Sequence, residues 1–168
     1  LKPVKGLFCL MEAVNALKER LKDGFQLILI GDGELREELE MKAEEAGLKG
    51  VVRFIGSRPH TEIPIWMNAC DLLCLPSLSE GMPNVVLEAL ACGTPVVATR
   101  VGGIPEILVE GKSGYMVPPN DPWKLADAIL KALSVDWDRG DIVKTVAHLS
   151  WEGNAKQVYD VLLEVLSS

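Results

Sequence analysis

Two glutamates, Glu80 and Glu88, have the clearest chemical potential in this chain of 168 residues. They lie eight positions apart, and Glu88 is the only charged residue between Gly81 and Thr99, in a segment made mostly of Val, Leu, Ala and Cys. Burying such a carboxylate without hydrogen-bond donors is costly. Ribose or sugar hydroxyls are suitable donors to a carboxylate. The pair therefore predicts a site for a ligand rich in hydroxyl groups.

The segment between the two glutamates predicts the start of a helix. Glycine and proline at 81–83 precede an apolar helical pattern over 84–92. Up to four backbone N–H groups lack partners at a helix start, and the helix dipole favours an anion there, so a phosphate is expected. Glu88 would lie about one turn in, ~6 Å along the axis, within reach of the same ligand. The structural alternative is a capping role for Glu80 and a salt bridge for Glu88.

Short apolar runs alternate with helical patterns along the chain. The sequence predicts strands at 26–30, 51–55, 71–75, 95–98 and 114–117. It predicts helices at 7–21, 34–45, 61–69, 84–92, 104–108, 122–133, 138–148 and 151–166. Such βαβ units build an α/β, Rossmann-like parallel sheet with helices on both faces, and ligands bind beyond the carboxyl ends of its strands. The whole chain, 1–168, is expected to form a single domain.

Charge and hydropathy exclude two classes of partner. The net charge of −7 argues against nucleic acid, because phosphate-backbone binding needs clustered Lys and Arg. Six of the acids lie within 34–45, a pattern typical of a solvated helix face. The longest uncharged run, 89–99, has eleven residues, whereas a membrane helix needs about 20. We therefore expect no transmembrane segment. The four cysteines, interpreted as small buried thiols, indicate a cytoplasmic protein, with peripheral contact at the inner membrane face left open for a longer form.

Other common chemistries have little to build on. The four cysteines form no C-x-x-C pair and have no histidine at metal-ligand spacing, so no metal site is expected. His60 and His148 match no serine-nucleophile pattern. Gly31-x-Gly33 continues to Arg36, where a dinucleotide fingerprint needs glycine. These absences leave the glutamate pair as the leading feature.

Residues 79–107 resemble the C-terminal, donor-binding domain of the family-4 retaining glycosyltransferases, which have the two-domain GT-B fold (glycosyl transferases group 1). The segment contains Ser-Glu-Gly-Met-Pro-Asn-Val-Val-Leu-Glu-Ala-Leu-Ala-Cys-Gly-Thr-Pro, in which Glu80 and Glu88 form an E-x7-E pair. Shorter stretches at 5–6, 29–33, 52–56, 114–118 and 150–151 extend the likeness over nearly the whole chain.

The resemblance implies a role for each matching position. Glu80 would contact hydroxyls of the donor sugar, Glu88 the ribose hydroxyls, and Lys5 the diphosphate leaving group, whose developing charge a cation stabilises. The loop 57–60 would contact the base, which brings in Arg58. The remaining donor-binding positions lie around the helix start and act largely through backbone amides: Gly81, Met82, Pro83, Asn84, Val85 and Val86.

The resemblance also implies an activity. The parent enzyme would transfer a sugar from a UDP-, GDP- or ADP-linked donor to an acceptor hydroxyl with retention of configuration, without a metal and without a protein nucleophile. A sugar, lipid or polysaccharide acceptor would bind an N-terminal domain. The family arginine five positions before the lysine would precede Leu1, so the first strand and the N-terminal domain are expected to be missing, leaving a gap between strands 26–30 and 71–75.

Three hypotheses describe what this chain does. The first is that this chain alone binds nucleotide weakly, is inactive by itself, and is prone to self-association through uncovered surface. The second is a nucleotide-binding module with no chemistry. The third is a sugar-nucleotide epimerase of the same fold, for which His60 and His148 are the candidate proton-transfer residues.

Overall fold

The computed structural model describes residues 1–21, 24–149, 159 and 163. The α-helices are α1 Leu7–Arg20, α2 Arg36–Glu45, α3 Ile63–Ala69, α4 Asn84–Ala91, α5 Ile104–Ile107, α6 Pro122–Leu133 and α7 Arg139–Val146. The strands are β1 Leu27–Ile30, β2 Val52–Gly56, β3 Leu73–Leu75, β4 Val96–Thr99 and β5 Gly114–Val117. Single 3-10 turns cover Pro3–Lys5 and His60–Glu62. Strands and helices alternate, as predicted.

The strands pair in parallel in two separate sheets. One contains β1 and β2, with Leu27 opposite Val52. The other has the order β3-β4-β5, with Val97 opposite Tyr115. Among the described residues, no ladder of backbone hydrogen bonds joins β1 to β3. The predicted gap between these two strands is therefore present.

Helices cover both faces of the second sheet, as the side chains of β4 show. Val97 belongs to one hydrophobic cluster, which it shares with α1 and α6. Its neighbours Val96 and Ala98 belong to a second cluster, built with α4, α5 and α7. Because successive side chains of a strand point to opposite faces, β4 is covered from both sides, and all four of its residues are buried. The fold is α/β with parallel sheets flanked by helices.

Most predicted boundaries hold to within two residues. Strand β5 and helix α6 have the predicted bounds, and Asp121 caps α6 by accepting a hydrogen bond from the backbone N–H of Lys124. Helix α2 begins at Arg36 rather than at residue 34, because the chain first makes a turn in which the Arg36 N–H donates to the Gly33 carbonyl, 3.0 Å away. Of the predicted helix at 151–166, only Tyr159 and Leu163 are described, and both are helical; the rest of the prediction lies outside the described residues.

The acidic helix α2 lies on the surface, as its charge pattern predicts. Only Leu39 and Ala43 of this helix are buried, and Arg36 pairs with Glu40 at 2.9 Å. Among the described residues, no helix is long and apolar enough to span a membrane.

Candidate functional site

The candidate site lies at the carboxyl ends of the strands. In parallel sheets these ends share one edge, where the loops meet. The loop after β3 carries Glu80 and leads into α4, which carries Glu88. The loop after β2 carries Arg58, and the 3-10 turn Pro3–Lys5 directly precedes α1.

An ion pair between Lys5 and Glu80 forms the centre of the site. The Lys5 Nζ lies 2.6 Å from Glu80 Oε1; the lysine side chain is 39% exposed and the glutamate side chain 11%. The Ser77 hydroxyl donates to the same oxygen, also at 2.6 Å. Pro83 is the N-cap of α4, and in the described part of the chain no side-chain cap hydrogen bond forms there, so the capping role considered for Glu80 is wrong. Glu80 is instead held in place by a cation and a hydroxyl.

The turn that carries Lys5 packs tightly against the loop after β3. Gly6 has φ +63°, and a Cβ at this position would overlap the Pro76 carbonyl group, because it would lie only 3.0 Å from the carbonyl carbon. The Leu78 N–H also donates to the Val4 carbonyl at 2.7 Å. Residues widely separated in the sequence thus place Lys5 beside Glu80.

The loop after β4 supports the same segment from another side. Gly102 has φ +54°, and a Cβ there would overlap the Glu80 carbonyl group, because it would lie only 2.7 Å from the carbonyl carbon. The Gly103 N–H donates to the Gly81 carbonyl at 2.7 Å. The backbone of Glu80 and Gly81 therefore lies so close to this loop that position 102 has no room for a Cβ.

Glu88 is the fifth residue of α4, about one turn from the helix start, as predicted. Its Oε1 lies 3.2 Å from His60 Nε2, and the side chains are 34% and 82% exposed, respectively. Glu88 is thus less buried than the apolar pattern around it indicated, and its partner comes from the loop after β2. The pairing considered for Glu88 as the structural alternative is therefore present, and it joins the loop after β2 to α4.

The remaining predicted site residues differ in how exposed their side chains are to a ligand. Pro83 and Val86 are buried, so their side chains are unavailable and only their backbone can face a ligand. The Val86 N–H already donates to the Pro83 carbonyl at 3.0 Å. Arg58 is exposed and donates to the Ile55 carbonyl at 3.2 Å. Gly81, Met82 and Asn84 are exposed and Val85 is half-buried.

Sequence reasoning missed several residues of this arrangement. It singled out neither Ser77 nor Gly102, and it placed His60 in the base-contacting loop and among the proton-transfer candidates rather than beside Glu88. A serine three residues before a glutamate carries no specific signal. Adjacent glycines at 102 and 103 just after a strand were the available clue to a close backbone approach. Among the described residues, no group of three His, Cys, Asp or Glu side chains is arranged to hold a metal ion.

Comparison with known proteins identifies the family. The family model for glycosyl transferases group 1 matches residues 1–149. The chain belongs to this family. A D-inositol 3-phosphate glycosyltransferase from Corynebacterium urealyticum is 40% identical to this glycosyltransferase chain, over 96% of the chain but only 40% of the relative. The chain thus spans about two fifths of the length of that curated relative.

Solved structures of glycosyltransferases share the fold. The Anabaena protein HepE, crystallised with UDP-glucose, superimposes with a TM-score of 0.79 and 30% identity, over 99% of this chain and 46% of that one. The C-terminal domain of LpcC, a group 1 glycosyltransferase from Francisella tularensis, superimposes with a TM-score of 0.78 and 29% identity, over 88% of this chain and 80% of that one. The architecture of this chain matches the C-terminal domain of GT-B glycosyltransferases.

Proposed function

We propose that this chain is the donor-binding domain of a retaining glycosyltransferase that uses a UDP-sugar. The observation that carries the proposal is the ion pair of Lys5 with Glu80, in the loop that leads into α4, whose fifth residue is Glu88. The HepE complex with UDP-glucose, at 30% identity, supports UDP as the nucleotide and a hexose as the sugar.

Each part of the donor has a matching group at this edge. Lys5 is exposed enough, on a flexible stem, to turn towards a diphosphate. Backbone N–H groups at a helix start point along the helix axis beyond its first turn and favour an anion; at α4 the Val86 N–H is taken by the Pro83 carbonyl, so Asn84 and Val85 would supply them. Glu80 accepts hydrogen bonds from the sugar, Glu88 accepts them from the ribose in exchange for His60, and Arg58 contacts the base.

The reaction needs no nucleophile from the protein in this proposal. The bond from the anomeric carbon to the phosphate oxygen breaks while the acceptor oxygen attacks from the same face, and the departing phosphate takes the acceptor proton. Lys5 and the α4 dipole stabilise the negative charge on the leaving group. Glu80 is held by Lys5 and Ser77, an arrangement suited to orienting a sugar rather than to attacking it.

Acceptor binding would fall to another part of a longer protein. The match to only 40% of a curated relative, and to a structure described as a C-terminal domain, support this assignment. A strand from such a longer protein could join β1 to β3, which no ladder of backbone hydrogen bonds connects among the described residues.

NMR titrations of the 168-residue chain with UDP, GDP and ADP, and with their glucose conjugates, test the proposal. We expect UDP and UDP-glucose to bind more tightly than the other ligands. Glu88→Ala should weaken both, whereas Glu80→Ala should weaken only UDP-glucose. Loss of a hydrogen bond to a charged group corresponds to roughly a tenfold loss of affinity or more.

Two outcomes would contradict the proposal. Equal losses for both variants, with and without the sugar, would refute the division of roles. Binding of UDP with no contribution from the sugar would favour the nucleotide-binding module without chemistry.

A further inference from the structure

One oxygen of Glu80 has two partners of unequal mobility. Lys5 Nζ and Ser77 Oγ each lie 2.6 Å from Glu80 Oε1. The lysine side chain is 39% exposed and carries a long flexible stem. Ser77 is fully buried, with 0% of its surface exposed. The serine is therefore the immobile partner of the pair.

The backbone of Ser77 is anchored to β4. The Thr99 hydroxyl donates to the Ser77 carbonyl, and Thr99 is 1% exposed at the end of that fully buried strand. Buried polar groups that lose such bonds carry the full desolvation penalty. The Ser77 hydroxyl is thus fixed relative to β4, independently of where the Lys5 ammonium points.

We propose that Ser77 is a positioning residue that holds the Glu80 carboxylate in its sugar-binding orientation while Lys5 is engaged by the donor diphosphate. The inference rests on the proposed function, because it needs Lys5 to serve the phosphates and Glu80 the sugar. Without donor, Lys5 and Ser77 both hold Glu80. With donor, the lysine is drawn towards the phosphates and the serine keeps the carboxylate in place. A carboxylate has about four acceptor positions, so the Ser77 bond leaves capacity for a sugar hydroxyl.

The test compares UDP-glucose with UDP in NMR titrations of the 168-residue chain. Ser77→Ala should reduce the ratio of the two affinities about tenfold, as expected for a lost hydrogen bond to a charged group, with UDP binding unchanged. A merely structural defect would weaken both ligands alike and leave the ratio where it is.

A matched control and a double variant sharpen the comparison. Ser113 is also 0% exposed, and its Oγ accepts from the Val109 N–H at 3.0 Å, in the turn before β5. Ser113→Ala should therefore leave the ratio unchanged. If Ser77 acts through Glu80, then Ser77→Ala should have little further effect on the ratio in a Glu80→Gln background. If Ser77→Ala does not fold, Ser77→Cys replaces the hydroxyl by a weak donor of similar size.

The outcomes separate this inference from the proposed function. A reduced ratio in Ser77→Ala, absent from Ser113→Ala and lost in the Glu80→Gln background, supports the positioning role. An unchanged ratio in Ser77→Ala, together with a reduced ratio in Glu80→Gln, overturns the positioning role alone. If UDP-glucose binds no better than UDP to the unaltered chain, the proposed function fails and this inference fails with it.

Discussion

Replacing Gly102 by alanine should damage both the stability of the chain and its candidate site. Two costs act together at this position. The backbone has φ +54°, and the left-handed conformation costs a residue with a Cβ about 1–2 kcal/mol. The new Cβ would also lie 2.7 Å from the Glu80 carbonyl carbon, against the roughly 3.5–4.0 Å at which non-bonded atoms pack.

The second cost distinguishes Gly102 from other glycines of positive φ. Forcing an extra carbon into a packed site costs typically about 1–3 kcal/mol, so Gly102→Ala should lose about 2–5 kcal/mol in all. Gly111 is the matched control, because it has φ +77° and no atom within 4 Å of a Cβ. Gly111→Ala should lose only the conformational part, about 1–2 kcal/mol.

Urea unfolding of the two variants and of the unaltered chain, followed by circular dichroism, measures both losses. An NMR titration with UDP-glucose on the same samples measures the site. Displacement of the Glu80 backbone in Gly102→Ala should lower the affinity for UDP-glucose, while Gly111→Ala should leave that affinity unchanged. Equal losses of unfolding free energy in the two variants would refute the reasoning, because they would mean that the Glu80 loop yields without cost.

Two further predictions concern Thr94 and Cys74. Thr94 is fully buried, and its hydroxyl donates to the Met67 carbonyl at 2.7 Å, so Thr94→Val should lower the free energy of unfolding by about 1–3 kcal/mol. As a control, Thr61→Val at an exposed position should change it by less than about 0.5 kcal/mol. Equal effects of the two substitutions in urea unfolding would contradict the role of the Thr94 hydrogen bond. Desolvation raises the pKa of the Cys74 thiol to about 12, so the thiol of the native chain is protonated at pH 8. It should therefore react with iodoacetamide far more slowly in the native chain than in urea, and the native rate should keep rising as the pH is raised towards 12. Mass spectrometry of the labelled chain checks this prediction, and labelling of Cys74 at the same rate with and without urea would refute it.

The elements of the fold were predictable because each has a local signal. Asp121 and Pro122 form an N-cap and a first helical residue, and α6 begins at Pro122 as predicted. Strand β3 was predicted from residue 71 but begins at Leu73, whose N–H is the first to pair with the neighbouring strand, through the Pro95 carbonyl. Pairing depends on the neighbour and not on local hydrophobicity, which explains the two-residue error.

The candidate site residues could be proposed from the sequence, but their contacts could not. Glu80, Glu88 and Lys5 were identified from their types and from the family resemblance. The ion pair of Lys5 with Glu80 joins residues 75 positions apart, and the contact of His60 with Glu88 joins residues 28 positions apart. Contacts between residues so far apart in the sequence depend on how the loops pack, which no local pattern encodes. The same is true of Ser77, whose importance is visible only once its hydroxyl is seen on the glutamate.

The separation of the two sheets ties ligand affinity to local stability. Side-chain packing between α1 and α6 belongs to a cluster that reaches both sheets, but no backbone ladder joins them among the described residues. Arg58 and His60 follow β2 in one sheet, whereas Glu80 and Glu88 follow β3 in the other. A donor held by both groups would bridge the two sheets, so the free energy needed to open either sheet alone would increase with donor concentration. Donor recognition and the cooperativity of the fold would then be a single coupled equilibrium.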